Sequence, residues 1–63
     1  MLDITEAERE VLLLAAEGHP KHRIADIRGT SLHTVKTQVE SALKKLGARH
    51  TAHAVAMVLR DAR

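Results

Sequence analysis

TSLHTVKTQVESALKKLG, residues 30–47, is written as a helix with two unlike sides. Val35, Val39, Ala42, Leu43 and Leu46 recur at three- and four-residue spacing, which lines one face of an α-helix with apolar side chains. Ser31 brings a hydroxyl to the open N–H groups of the first turn. Gly47 ends the run after Lys44 and Lys45, whose charges suit the negative end of the helix dipole. The opposite face carries His33, Lys36, Thr37, Ser41 and Lys44, a row of donors with no core to enter.

Three more helices follow on either side of this one. Upstream, Gly29 closes a short helix over 20–28 that turns Ile24 and Ala25 inward and begins at Pro20, where no intrahelical donor is needed. Before it, Thr5 and Glu8 make a T-x-x-E capping box, and Ala7, Val11, Leu14 and Ala15 form a half-buried stripe that Gly18 stops, for a helix over 6–17. Leu13 falls on the polar side of that helix, among Glu6, Arg9, Glu10 and Glu17.

Downstream, Thr51 caps a helix over 52–61 that is apolar almost all round. Ala52, Val55 and Leu59 point one way and pack on the monomer, which leaves Ala54, Met57, Val58 and, at the end, Asp61 for a two-fold partner. The fold expected is all-α, a four-helix domain without strands occupying residues 1–63.

Size and composition agree with a partner copy. A chain of 63 residues buries only roughly 60% of the surface it exposes when unfolded, so its stability margin is small. It has no Cys for a disulfide, which makes oligomerisation the expected staple. The absence of Phe, Trp and Tyr removes the stacking platforms of single-stranded nucleic acid binders. No run of 18 apolar residues spans a membrane, and the acids between Met1 and Leu14 do not fit a signal peptide, so a cytoplasmic protein is expected.

Charge is unevenly spread. Residues 1–19 hold five acids against Arg9, whereas residues 20–63 hold nine bases against three acids. That pattern implies a basic face for a polyanion and an acidic region turned away from it.

Two short helices joined by a turn of about three residues containing Gly, the second capped by Ser and basic on its open side, form the pattern of a helix-turn-helix. The wider wording is more specific. ITEAEREVLLLAAEG, and RIADIRGTSLHTVKTQVESALKKLGA after it, resemble the LuxR/GerE family of bacterial helix-turn-helix DNA-binding domains from Ile4 to Leu59, without an insertion. Ser31, Thr34-Val35-Lys36 and Lys45-Leu46-Gly47 carry most of the resemblance.

The resemblance implies a third helix in the major groove, a fourth helix that pairs two domains over a roughly palindromic site in double-stranded DNA, and a nucleoid-associated regulator. Carried over position by position, Lys36 and Thr37 face base edges, with Glu40 one turn further. Thr34 and Lys36 lie near phosphates, as do Lys21 and His22 at the start of the second helix. His33, Ser31, Ser41 and Lys44 complete the expected DNA-facing set.

Arg28 departs from the family, standing where a buried Leu is usual, and Thr30 stands where Ile is usual. Arg28 is expected to lay its methylene stem along the core and to pair with an acid of the first helix, such as Glu8 or Glu17, so that Arg28→Leu lowers stability. Glu40 is expected to pair with Lys36 or Lys44 along its own helix, although its carboxylate also matches the cytosine amino group.

His19 with His22, and His50 with His53, have spacing that brings two imidazoles together, but neither pair has further ligands in evident reach, so no metal and no cofactor are expected. No catalytic motif is present and no enzyme is expected. The function expected is a dimeric DNA-binding transcriptional regulator that also touches RNA polymerase or another regulator through its acidic first helix. The alternative is a protein-interaction module of the same fold that heterodimerises with or blocks another regulator.

Overall fold

The computed structural model describes residues 2–61; Met1, Ala62 and Arg63 of the expected 1–63 domain lie outside the described residues. Four helices follow one another, α1 (Glu6–Ala16), α2 (Lys21–Arg28), α3 (Leu32–Leu46) and α4 (Thr51–Asp61), with no strand among the described residues. At about 1.5 Å per residue, the 15 residues of α3 run most of the 27 Å long dimension of the molecule.

Local chemistry sets the helix ends. The capping box forms as its spacing requires: the Glu8 N–H donates to Thr5 Oγ1 at 3.1 Å and the Thr5 N–H to Glu8 Oε1 at 2.8 Å. Pro20, with ψ 161, is the N-cap of α2 rather than its first residue. At α4 the cap lies one residue earlier than expected. Thr51 is already helical, and it is the Nδ1 of His50 that accepts the His53 N–H, at 3.3 Å. Gly29, at φ +68, ends α2 with paired bonds from Thr30 N–H to the Ala25 carbonyl (2.9 Å) and from Gly29 N–H to the Asp26 carbonyl (3.3 Å). Gly47 ends α3 in the same way.

The core consists of two clusters with α1 between them. Val11 meets Ile24, Ala25, Val35 and Val39 on the side of α2 and α3, while Leu12 meets Ala42, Ala54 and Val58 on the side of α4. Leu43 packs against both clusters and joins them. Because neighbouring helix positions point about 100° apart, Val11 and Leu12 serve different partners, and a single expected stripe missed Leu12. Leu13, expected on the polar side, is half-buried against the second cluster with Leu2 and Ile4.

The fourth helix reverses the expected assignment of its faces. Ala54 and Val58 are fully buried in the chain's own core, Met57 is half-buried, and Asp61 lies 3.8 Å from Arg9 of α1. Ala54 and Val58 therefore present no free surface to a partner, whereas Met57 is only half-buried and Asp61 stays exposed beside Arg9. The outward face carries Ala52, Ala56 and Leu59, the last 48% exposed, with half-buried Val55 at its margin.

Candidate nucleic-acid interface

The α2–turn–α3 unit holds α3 against the core by Val35, Val39 and Ala42, all buried, and leaves the far side of the helix open. His33, Lys36, Thr37, Glu40 and Lys44 are exposed along that side. Thr37, Glu40, Ser41 and Lys44 line a shallow depression on it. The Thr34 N–H donates to Ser31 Oγ at 3.1 Å, and the two hydroxyl oxygens lie 2.9 Å apart, so these side chains fix the start of the helix. Ser31, Lys21 and His22 are exposed as well, and no side chain caps the first turn of α2.

Thr34 and Ser41 differ from the rest of the expected set. Both are half-buried: the Thr34 hydroxyl lies against that of Ser31, and Ser41 sits at the margin of the depression, close enough to Glu8 to help lower its pKa. Neither projects freely in the way that Lys36 and Thr37 do.

The electrostatics behind the interface were not expected from the sequence. Lys45 Nζ donates to both carboxylate oxygens of Glu8, at 3.0 and 3.2 Å, with the Glu8 side chain 6% exposed. Burial alone would raise the Glu8 pKa, but the Thr5 N–H, the Ser41 hydroxyl and the Lys45 ammonium outweigh it and hold the carboxyl at about 2. Arg28 pairs with Glu10, Nη1 to Oε2 at 3.1 Å, rather than with Glu8 or Glu17. Ile27 stays outside, 46% exposed.

Two bases of the C-terminal part are thus spent on acids of α1. By contrast, Lys36, Glu40 and Lys44 have no opposite charge within ion-pair distance among the described residues, so the expected pairing of Glu40 along its helix does not form. Sequence reasoning also passed over Arg23, exposed beside Lys21 and His22, and Leu32, 40% exposed at the first position of α3. The helical spacing of Arg23 in the first turn of α2 was the available signal.

Among the described residues no group of three or more potential ligands could hold a metal ion. The rings of His50 and His53 have centroids 6.1 Å apart and are tilted by 53°. No helix among the described residues is long and apolar enough to cross a membrane.

Four helices arranged in this way, with a three-residue turn ahead of an amphipathic third helix, define a helix-turn-helix domain. The chain belongs to the luxR family of bacterial regulatory proteins, whose GerE family model matches residues 3–58. It is 40% identical over 52 residues to the response regulator protein VraR of Staphylococcus aureus, and equally to the proteins of that name from Staphylococcus saprophyticus and Staphylococcus epidermidis. The match takes in 82% of this chain and 25% of each relative, so the chain spans about a quarter of their length. No solved structure matches it.

Proposed function

We propose that residues 1–63 form one DNA-binding domain of a bacterial transcriptional regulator that binds double-stranded DNA as a dimer, with α3 in the major groove. The observation that supports this most is the open row of α3: charged and hydroxyl side chains at Lys36, Thr37, Glu40 and Lys44 are exposed together on a helix whose reverse face is buried, and its charges are not spent on one another. An α-helix fits the major groove, Lys donates to guanine O6 and N7, and Thr offers a hydroxyl or a methyl group.

Phosphates are taken by Lys21 and His22 at the uncapped start of α2 and by the start of α3 around Ser31, His33 and Thr34. Two copies meet through the outward stripe of α4, Ala52, Val55, Ala56 and Leu59, on a roughly palindromic site, which doubles the phosphate contacts and with them the salt dependence. The exposed acids Glu6, at the start of α1, and Glu17, at its C-cap, are offered to RNA polymerase or another regulator. The domain works in the cytoplasm, at the nucleoid.

Selection of bound sites from random duplex DNA, repeated at two salt concentrations, tests the reading. A palindromic motif that persists at the higher salt is the expected result, and salt-labile binding without a motif would point to the protein-interaction alternative.

A further inference from the structure

Glu40 stands apart in the open row of α3. It is an acid among His33, Lys36, Thr37 and Lys44, and its carboxylate pairs with neither Lys36 nor Lys44, although both sit four residues away at the spacing where opposite charges meet on a helix. It opens instead onto the depression that it shares with Thr37, Ser41 and Lys44. A row that met only phosphates would gain nothing from a carboxylate there, because like charges repel.

In the major groove only amino groups can donate to such a group, N4 of cytosine and N6 of adenine. Adenine sets the lone pair of N7 beside N6, which repels the second carboxylate oxygen, whereas cytosine has an apolar C5–H edge beside N4. The guanine paired with that cytosine presents O6 and N7, the acceptors that a neighbouring lysine can take. One acid flanked by two lysines that pair with no acid among the described residues therefore complements a C·G pair.

We infer that Glu40 is a specificity-determining residue that selects a cytosine at one position of each half-site by accepting a hydrogen bond from its N4 amino group, with Lys36 or Lys44 on the adjoining guanine. This rests on the reading of α3 as the groove-facing helix. It also fixes a chemical sensitivity. A methyl group on N4 removes the donor that points into the groove, whereas a methyl group on C5 leaves it in place.

The test is selection from random duplex DNA with the 63-residue chain and its Glu40→Gln and Glu40→Ala variants, followed by titration of the selected duplex carrying cytosine, N4-methylcytosine or 5-methylcytosine at the position in question. The parent motif should contain an invariant cytosine that Glu40→Gln moves to adenine, since an amide matches adenine N6 and N7, and that Glu40→Ala relaxes at this position alone. N4-methylation should weaken the parent about tenfold and leave Glu40→Ala unaffected, while 5-methylation leaves N4 recognition intact. A motif unchanged between the parent and Glu40→Ala would overturn the inference and leave α3 as the reading helix. The absence of any motif would overturn both.

Discussion

Lys45 of α3 holds Glu8 of α1 across 37 positions of sequence, its Nζ 3.0 and 3.2 Å from the two carboxylate oxygens. The same carboxylate closes the capping box of α1 by accepting the Thr5 N–H. One buried acid therefore ties the start of α1 to the back of the helix whose open face bears Thr37, Glu40 and Lys44.

Stability should fall in acid because of Glu8. A carboxyl whose folded pKa lies below its unfolded value contributes stability that is fully present above the unfolded value and is lost as pH falls through the folded one. For Glu8 the window runs from its ordinary value of 4.5 down to about 2. Chemical denaturation of the parent through that window should show a loss that Glu8→Gln, less stable at neutral pH, largely lacks. Lys45→Ala should cost about 1–3 kcal/mol at neutral pH, because the buried carboxylate loses its cation but keeps the Thr5 N–H.

Arg28→Leu should stabilise the chain by about 1 kcal/mol, contrary to what the sequence suggested. The pair with Glu10, whose side chain is 53% exposed, is worth about 0–1 kcal/mol. The buried Nε of Arg28 has no hydrogen-bond partner among the described residues, and leaving such a donor unsatisfied costs about 1–3 kcal/mol. The balance favours leucine, and a denaturation midpoint below that of the parent would refute this weighing.

Gly29→Ala should cost about 1–2 kcal/mol and Gly29→Asn less. Nothing lies within 4 Å of a Cβ built there, so space is not the constraint; the backbone at φ +68 is. Denaturation curves of the two variants separate these causes, because a steric cause would make the larger asparagine worse.

Positions on the two faces of α4 should respond differently to charge. Leu59→Glu, on the outward face, should leave the fold of the single chain intact, and by sedimentation it should stay monomeric where the parent, on the proposed pairing, associates. Val58→Asp places an uncompensated charge in a fully buried site and should cost about 3–5 kcal/mol. Equal loss of fold in both variants would count against the outward stripe as a pairing surface.

Lys21→Ala and Lys36→Ala should both weaken DNA binding but in distinguishable ways. Loss of Lys21 should lower affinity alike for all sequences and reduce the salt slope by about 1. Loss of Lys36 should cost about 1–3 kcal/mol on the selected site and relax the base preference at one position. Titrations of specific and unrelated duplexes over a salt series separate the two.

Most helix starts and stops, though not the cap of α4 at His50, were legible in the residues because capping acts within one or two turns. Thr5 with Glu8, Ser31 with Thr34, and the glycines at 29 and 47 do locally what their spacing implies. The open face of α3 was legible for the same reason, since an amphipathic period needs only the helix itself, and the family was legible from Thr34-Val35-Lys36 and Lys45-Leu46-Gly47.

Which faces meet was not legible. With apolar residues nearly all round α4, periodicity had no polar side to orient it, and the choice fell to what α1 and α3 offer: Leu12 and Ala42 draw in Ala54 and Val58. Arg28 meets Glu10, while Lys45 holds Glu8 and Glu17 lies beside His19. Pairings of this kind depend on how α1 crosses α3, a relation between segments far apart in the chain that no local pattern encodes.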